Sequence, residues 1–289
     1  MTRRVGGGSR PRIAYQGEPG AFSEEAALTF FAEPATVALS TWRAVFEAVR
    51  DGAAEAGVVP LENSLAGTIR ENLDLLHEFD LPIVGEVSVP VRLALLALPG
   101  ESIETIERVY SHAQALAQAD EFLRARGWTV MTTYNTAGAA KMIAERAERG
   151  AAAIASPRVA ELYGLEVLAA DVQTGAENRT RFAVLAREPL NEAWRPSGVR
   201  HSGPKTTLVF AVRNVPGSLH RCLGSFATRG VNLSRLESRP SRTARWEYVF
   251  WADVDADAAD PTCAAALDDL RASCEMVRVL GSYPRAAED

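Results

Sequence analysis

Short apolar segments alternate with amphipathic ones along the chain from Ile13 to about Ala186. One helix is predicted to begin after Ser40 or Thr41, where a hydroxyl can cap free amides, and its apolar residues recur at helical spacing. Residues 56–60 form a predicted buried strand. Further strands are predicted at 82–98, 107–110, 128–132, 151–155, 165–170 and 181–186. Strands that alternate with helices usually build a mostly parallel sheet, so the pattern predicts an α/β domain.

A polar stretch rich in proline and glycine follows and breaks both periodicities, which is typical of a linker. We predict a linker at residues 188–204, between a first domain at 12–187 and a second domain at 205–285. In the second domain the elements are predicted in the order strand, helix, strand, strand, helix, strand. This βαββαβ order is that of a ferredoxin-like fold. Residues 1–11 are glycine-rich, and we expect a disordered tail there.

Composition and charge exclude several classes of function. Of the 289 residues, 47% are hydrophobic and 24% are charged, as in an ordinary soluble protein. The formal net charge of −6 offers no electrostatic footprint for a nucleic acid. No apolar run reaches the roughly 20 residues that a membrane-spanning helix needs. The cysteines are too few and scattered for a disulfide framework, and no metal-binding motif occurs, so we expect a cytoplasmic protein without a metal.

Four polar segments follow predicted strands, at the position where open α/β sheets bind ligands. They are residues 15–23, 60–68, 111–115 and 177–182. In the first, Ser23 either presents a hydroxyl to a ligand or belongs to a turn with a helix cap. In the second, Asn63 and Ser64 either offer donors to an anion or only cap a helix. In the third, His112 either donates to a carboxylate or is only the neighbour of a cap.

The fourth segment has two guanidinium groups that flank the hydroxyl of Thr180. Arginine pairs bidentately with carboxylates, so this pattern indicates an anion clamp beside a proton donor; the alternative is alternating charge on an exposed strand. Because side chains alternate along a strand, Thr180 and Phe182 should face one side, and Arg179 and Arg181 the other. Carboxylate binding by Arg181 would then require a bend in the strand or contact around its edge.

These segments resemble the motifs of prephenate dehydratases, which convert prephenate to phenylpyruvate on the route to phenylalanine. Residues 17–23 are similar to the family's G-x-x-G-[TA]-[FY]-[SA] loop, 60–64 to P-[IVL]-E-N-S, 111–115 to S-H-P-Q-A, and 178–182 to N-x-T-R-F. The last is the most specific, and its threonine, here Thr180, is regarded as the family's catalytic residue. The resemblance implies substrate contacts at Ser23, Asn63, Ser64, Thr68, His112, Asn178, Arg181 and Phe182.

Two motifs of the second domain resemble those of an ACT domain that binds phenylalanine. Residues 214–219 are similar to the turn N-x-P-G-A-L, and residues 237–240 match E-S-R-P. The implied effector contacts are Asn214, Pro216, Gly217, Ser218, Leu219, Glu237, Ser238, Arg239 and Pro240. Family members bind the effector between the ACT domains of two subunits, so a homodimer or homotetramer is implied. The implied catalytic domain has two α/β lobes, like a periplasmic binding protein, with the site in the cleft.

Three positions depart from the family motifs. Ala113 replaces the usual proline, Ala21 stands where many members have threonine, and Ser218 replaces alanine. Ala21 removes one possible substrate contact, whereas Ala113 only loosens a loop. The short segment before Ile13 leads us to expect the single-activity form rather than a fusion with chorismate mutase.

The implied reaction releases carbon dioxide and hydroxide from prephenate as its ring becomes aromatic. Aromatisation drives the reaction, so no cofactor is expected, and the protein must grip two carboxylates and donate to the departing hydroxyl. A threonine hydroxyl is a poor acid, so Thr180 is expected to hydrogen-bond the leaving oxygen or relay a proton. Two alternatives stay open: arogenate dehydratase, whose substrate has an amino group in place of the keto group, and a non-catalytic amino-acid sensor.

Overall fold

The computed structural model describes residues 10–175, 177–191, 194, 201–240 and 248–287. Most of the predicted tail at 1–11 and about half of the predicted linker at 188–204 lie outside these residues. The last part of that linker is already regular structure, because a strand begins at His201. No helix in the described part of the chain combines the length and the apolar character that crossing a membrane requires.

The first sheet builds one lobe and contains two antiparallel strands, one of them short, among parallel ones. Its strands are β1 (Arg12–Gln16), β2 (Ala35–Leu39), β3 (Ala56–Asn63), β4 (Gly67–Thr68), β5 (Ile83–Pro90) and β11 (Arg179–Ala186). They lie in the order β2-β1-β3-β11-β5, with β4 paired to β3. The helices of this lobe are α1 (Phe22–Phe30), α2 (Trp42–Arg50) and α3 (Arg70–Glu78). Strand β11 is antiparallel to both of its neighbours, and the short β4 is antiparallel to β3.

The second sheet builds the other lobe. Its strands are β6 (Ala94–Ala97), β7 (Arg108–Ser111), β8 (Thr129–Thr132), β9 (Ala151–Ala155) and β10 (Glu166–Ala169), in the order β10-β6-β9-β7-β8. Its helices are α4 (Ala113–Gln118), α5 (Asp120–Arg124), α6 (Thr136–Arg146) and α7 (Arg158–Tyr163). The chain crosses between lobes after β5 and again before β11. This confirms the predicted two-lobed architecture of the periplasmic-binding-protein type.

Helix α2 shows how the sequence sets a local structure. Thr41 is its N-cap, and the Thr41 Oγ1 atom accepts a hydrogen bond of 3.1 Å from the backbone amide of Ala44. The predicted apolar residues Val45, Phe46 and Val49 are fully buried on one face of the helix. The cap and the periodicity therefore agree, which is why this helix could be predicted from the sequence.

The predicted strand at 82–98 is wrong, because two strands of different lobes occupy this segment. Strand β5 ends at Pro90, and β6 begins at Ala94 in the other sheet. Both strands are mostly buried, so the segment reads as one apolar run. A run of apolar residues predicts burial and does not report a change of sheet.

The third sheet and its helices form the C-terminal domain. Its strands are β12 (His201–Ala211), β13 (Leu233–Pro240), β14 (Tyr248–Val254) and β15 (Met276–Ala286), and its helices are α8 (Ser218–Ala227) and α9 (Pro261–Ser273). The strands pair antiparallel in the order β13-β14-β12-β15. This topology confirms the predicted ferredoxin-like fold. One face of the sheet packs under the two helices around Phe210 and Phe226.

The other face of the third sheet packs against the first lobe. Val209, Trp251 and Leu280 of the C-terminal domain lie in the same apolar cluster as Ile83 of β5. At Gly281 the two domains are so close that an added Cβ would lie 2.0 Å from the carbonyl oxygen of Ile83. Apolar clusters of this kind mark a contiguous core. The C-terminal domain and the first lobe thus share one core within a single chain.

Candidate active site

A cavity of about 280 Å³ lies between the two lobes and is lined by residues of both. The first lobe contributes Ser23, Asn63, Thr180 and Phe182, and the second lobe contributes His112. A larger cavity of about 840 Å³ lies on the opposite face of β11, beside the C-terminal domain. We assign the site to the smaller cavity, because ligands of two-lobed α/β proteins bind where the lobes face each other and the predicted donors converge there.

Asn63 fixes the hydroxyl of Thr180. The Asn63 Oδ1 atom accepts hydrogen bonds from the backbone amides of Leu65 and Ala66, at 3.1 and 2.9 Å, which turns the amide nitrogen of Asn63 toward β11. That nitrogen, Nδ2, donates to Thr180 Oγ1 at 3.0 Å and to Asn178 Oδ1 at 2.7 Å. Because the Thr180 oxygen accepts this bond, its own hydrogen can be donated to a group in the cleft.

The two arginines that flank Thr180 lie on the other face of the strand. Arg181 Nη1 donates to Glu86 at 2.9 Å and to Asp253 at 2.7 Å, and Arg181 Nη2 donates to Glu62 at 2.9 Å. Arg179 Nε donates to the hydroxyl of Ser88 at 3.0 Å. The predicted substrate contact at Arg181 is therefore corrected: the pleat of β11 turns its guanidinium away from the cleft, where carboxylates of the chain itself bind it.

The charges around Arg181 stabilise one another. Burial by itself lowers the pKa of Arg181, but the carboxylates of Asp253 and Glu86 outweigh it and hold that pKa well above its usual value. Burial raises the pKa of Asp253, and the positive charge of Arg181 outweighs it, so the pKa of this carboxyl is lowered. For Lys205, which is bonded to Glu86, the effect of burial outweighs the attraction of the carboxylate and lowers the pKa of the lysine. Arg181 is thus already neutralised by the protein.

Three other residues that were predicted to contact the substrate do not line the cleft. Ser64 Oγ donates to the carbonyl of Glu177 and accepts from the amide of Arg179, both at 3.0 Å, so it joins β3 to the segment before Thr180. Asn178 accepts the bond from Asn63 that is described above. Thr68 donates to Glu237 of the C-terminal domain at 2.5 Å. Their geometry gives these side chains indirect roles, because none of the three borders the cavity.

Ser23 and His112 do border the cavity, each at the start of a helix. Ser23 lies in the first turn of α1. His112 is the N-cap of α4, and its Nδ1 accepts a bond of 3.3 Å from the amide of Gln114. The ring therefore caps the helix itself, whereas one interpretation of the sequence makes His112 only the neighbour of a cap. In the neutral tautomer that this bond implies, Nε2 carries the proton and can donate.

Sequence reasoning missed Trp42, Gln118 and Tyr134, which also line the cavity. The indole nitrogen Nε1 of Trp42 is buried and has no hydrogen-bond partner within the described residues. A buried indole N–H usually finds a partner, so this donor is suited to a ligand. Helical spacing assigns Trp42 to the apolar face of α2, and that signal cannot reveal which way the polar edge of the ring points.

The described residues that line the cavity include no Asp, Glu, Lys or Arg. Helix N-termini are the remaining source of positive potential, and Ser23 and Thr136 lie in the first turns of α1 and α6. Charged residues hold the lobes together instead: Glu18 of the first lobe accepts a bond of 2.9 Å from Lys141 of the second. The cleft can therefore attract an anion but offers no opposite charge for a cation.

Comparison with known proteins identifies this arrangement. The family model for prephenate dehydratase matches residues 13–190, which span both lobes and the strand of Thr180. The chain belongs to the prephenate dehydratase family. An Arabidopsis thaliana relative, arogenate dehydratase/prephenate dehydratase 2, is 42% identical over 293 residues, which cover 98% of this chain and 75% of the relative. This prephenate dehydratase family member is thus a lyase that acts as a prephenate or arogenate dehydratase.

Solved structures agree with the family assignment. Prephenate dehydratase from Arthrobacter aurescens, in complex with L-Phe, has a TM-score of 0.84 and 32% identity and covers 95% of this chain and 90% of its own. A second structure, GqqA, described as a novel type of quorum quenching acylase, has a TM-score of 0.84 and 38% identity, with 95% and 98% covered. The dehydratase-family fold therefore extends through the C-terminal domain.

Proposed function

We propose that this enzyme converts prephenate to phenylpyruvate, carbon dioxide and water. The bond between the ring and its carboxylate breaks, the electron pair of that bond enters the ring, and the ring hydroxyl leaves as hydroxide, which takes up a proton from solvent to become water. The observation that carries the proposal is the bond from Asn63 to Thr180 Oγ1, which leaves the threonine hydrogen to donate to the departing oxygen. A donor aimed before the reaction stabilises charge that develops only in the transition state. Phe182 shares this face of β11 and supplies an apolar wall for the ring.

Neutral donors are proposed to hold the two substrate carboxylates. The candidates are Ser23 and Thr136 in the first turns of two helices, His112 through Nε2, and the unpaired indole N–H of Trp42. Backbone amides at a helix N-terminus bind anions without a full positive charge. This proposal replaces the arginine clamp that the sequence suggests around Thr180, because both arginines of that segment lie on the opposite face.

The neutral cleft favours prephenate over arogenate. Arogenate carries an ammonium group where prephenate has a keto oxygen, and burying an ammonium without a carboxylate partner is costly. The described residues that line the cavity include no Asp or Glu. A keto oxygen, by contrast, can accept a bond from the donors present. We therefore infer that prephenate is the preferred substrate.

Turnover of the two substrates tests this preference. We expect kcat/KM for prephenate to exceed that for arogenate by about tenfold or more. An ammonium group left unpaired in the cleft costs at least about 1.4 kcal/mol, which corresponds to a tenfold change in rate. The measurement follows phenylpyruvate formed from prephenate and phenylalanine formed from arogenate by the same preparation. Equal or faster turnover of arogenate would support the alternative substrate. Absence of turnover on both would support a non-catalytic sensor.

Phenylalanine is the proposed effector of the C-terminal domain, which we infer to be an ACT domain. The solved Arthrobacter aurescens relative is a complex with L-Phe, and the effector motifs of this chain occupy an exposed turn before α8 and the strand β13. Gly217 of that turn has a φ of 81°, a conformation that suits glycine. The side chains of Glu237 and Arg239 instead contact Thr68 and Asp74 of the first lobe, which gives these two motif residues an interdomain role.

A homodimer or homotetramer is proposed from the position of β13. This strand is an outer strand of the third sheet, so one of its edges is not paired within the described residues. On it Leu236 is 44% exposed, a large apolar side chain at an open edge. Such edges pair with another chain unless they are protected. Pairing of two β13 strands would bring two effector turns together, which is where the family binds phenylalanine.

Substitution of Gly217 tests the effector site. We expect Gly217→Ala to weaken phenylalanine binding about tenfold, because a side chain at this positive φ strains the turn by roughly 1 kcal/mol or more. Gly230→Ala is the matched control: Gly230 has a φ of 67° in the same domain, and nothing lies within 4 Å of an added Cβ. Calorimetric titration with phenylalanine measures both variants. Equal loss of affinity in both, or none in Gly217→Ala, contradicts the assignment.

A further inference from the structure

The strands that carry Thr180 and Asn63 hold a second residue pair on their opposite face. Thr180 is paired with Asn63 in the register of β11 and β3, and the next residues, Arg181 and Glu62, are also paired. On the cleft side Asn63 Nδ2 lies 3.0 Å from Thr180 Oγ1, and on the back Arg181 Nη2 lies 2.9 Å from Glu62 Oε2. Because the two pairs share a backbone, any shift between the strands changes both distances.

The backbone ladder is irregular at this point. The pairing passes from Arg181–Glu62 directly to Phe182–Pro60, so the register skips Leu61. A bulge of this kind disrupts ladder bonds and redirects side chains, and proline has no amide hydrogen to donate. The Arg181–Glu62 ion pair therefore has to help hold the strands in register beside Thr180.

Two strands of the C-terminal domain contact this back pair or the adjacent Thr68, and Arg235 Nε of β13 lies 3.9 Å from Glu62 Oε2. Asp253 of β14 accepts a bond of 2.7 Å from Arg181. Thr68, which pairs with Glu62 through β4, is bonded to Glu237 at 2.5 Å and to Arg235 at 3.1 Å. The two contacts come from neighbouring strands of the third sheet and reach β11 and β4, which both pair with β3 in the first sheet.

The cluster is buried, so its charges are strongly coupled. The side chain of Asp253 is 3% exposed, and that of Arg181 is 17% exposed. Two charges that are buried away from water interact more strongly than two charges at the surface. A buried charge that loses its partner keeps the desolvation cost without the attraction that offsets it. A change in the position of Asp253 must therefore be followed by Arg181.

Strand β13 connects the cluster to the proposed effector site. It carries the E-S-R-P motif, whose Glu237 binds Thr68, and its Arg235 is paired in register with Asp253. Movement of β13 would thus shift both contacts to the first lobe together. A ligand changes activity at a distance only if it favours one arrangement of such a connected element over another.

We propose that Arg181 is a positioning residue through which the C-terminal domain controls the Thr180–Asn63 pair, with Asp253 and Thr68 as the contacts that transmit the position of β13. This inference rests on the proposed regulation by phenylalanine. Its consequence is that the N-x-T-R-F motif has two functions on one strand: the threonine faces the substrate, and the arginine that follows it faces the regulatory domain.

The variant Asp253→Asn tests the coupling. In the wild-type enzyme we expect saturating phenylalanine to change kcat for prephenate, and the ratio of kcat with and without phenylalanine is the factor to be compared. In Asp253→Asn we expect that factor to shrink toward one, by about 2- to 30-fold, the range that coupling residues produce, while calorimetric titration still detects phenylalanine binding. Asp255→Asn is the matched control, because Asp255 on the same side of the domain pairs with Arg285 at 3.1 Å and not with the first lobe. It should keep the wild-type response.

Two further variants keep the test decisive. Thr68→Val removes the second contact without leaving a buried charge unpaired and should also reduce the response, even if Asp253→Asn fails to fold. Arg181→Lys keeps the charge but loses the fork of donors that contacts Glu62 and Asp253 together. This variant should have a lower kcat with little change in KM, and it should respond less to phenylalanine. An unchanged response in both Thr68→Val and a folded Asp253→Asn overturns the coupling alone. A wild-type enzyme that does not bind phenylalanine overturns the proposed regulation as well.

Discussion

Replacement of Thr180 by valine is expected to lower kcat for prephenate by about 10²–10³-fold, the effect of removing one donor aimed at a developing negative charge. Valine has nearly the shape of threonine, so the packing beside Phe182 and the strand pairing to Asn63 should persist. The lost group is the hydroxyl, whose oxygen accepts from Asn63 and whose hydrogen is free to donate. KM should change little, because this donation strengthens only as the hydroxyl departs.

Serine at this position should retain part of the activity. It keeps the hydroxyl but loses the methyl group that restricts threonine to few side-chain rotamers, so the oxygen is less well held. Thr228→Val is the control, since Thr228 ends helix α8 far from the cleft and its hydroxyl donates to the carbonyl of Gly224 in that helix. Steady-state kinetics of the three variants provide the measurement. A kcat of the Thr180→Val enzyme within a few-fold of the wild-type kcat would show that Thr180 does not take part in the reaction.

The pleat of the strand made the orientation of Thr180 predictable, but the hydrogen-bond partners of the neighbouring arginines could not be predicted. Alternation alone indicates that Thr180 and Phe182 share a face and that Arg181 has the other. One of the residues that Arg181 binds, Asp253, is 72 positions away and belongs to the other domain. Local sequence carries no signal for a contact of that range. Resemblance to a motif therefore suggested a substrate contact where the structure has an interdomain ion pair.

Element types were predicted better than their connections. The βαββαβ order of the C-terminal domain follows from periodicity and turn residues, and its sheet has the expected topology. The return of β11 into the first sheet, between β3 and β5, has no local signature, because antiparallel and parallel buried strands have similar apolar content. That return is what brings Thr180 beside Asn63.

A linker at residues 188–204 suggests that a cut there would separate the two domains without damage to the first. The composition of a linker indicates where regular structure stops, and it says nothing of which surfaces pack across it. Trp251, which is 2% exposed, and Leu280 belong to the cluster that also contains Leu76 and Ile83 of the first lobe. Truncation would expose this apolar surface to water, so point substitutions are the suitable test of regulation.

Replacement of Gly281 by alanine is expected to destabilise the whole chain by about 3 kcal/mol or more, at the upper end of the cost of overpacking. An added Cβ would lie 2.0 Å from the carbonyl oxygen of Ile83 and 2.9 Å from its carbonyl carbon. Both are backbone atoms of β5, which pairs with β11, so neither can yield as a flexible side chain would. For a chain of this size the loss corresponds to a fall in Tm of roughly 6–12 °C.

Gly224→Ala is the matched control for this substitution. Gly224 lies inside helix α8, and no heavy atom beyond the local helix backbone lies within 4 Å of an added Cβ. Alanine should stabilise that helix by about 0.5–1 kcal/mol, because glycine loses more backbone entropy on folding. Scanning calorimetry of both variants gives the measurement. A Gly281→Ala enzyme with the wild-type Tm would contradict the close contact of β15 with β5. A fall confined to one of two separate transitions would show that the domains unfold independently, since a shared core requires the first lobe to lose stability together with the C-terminal domain.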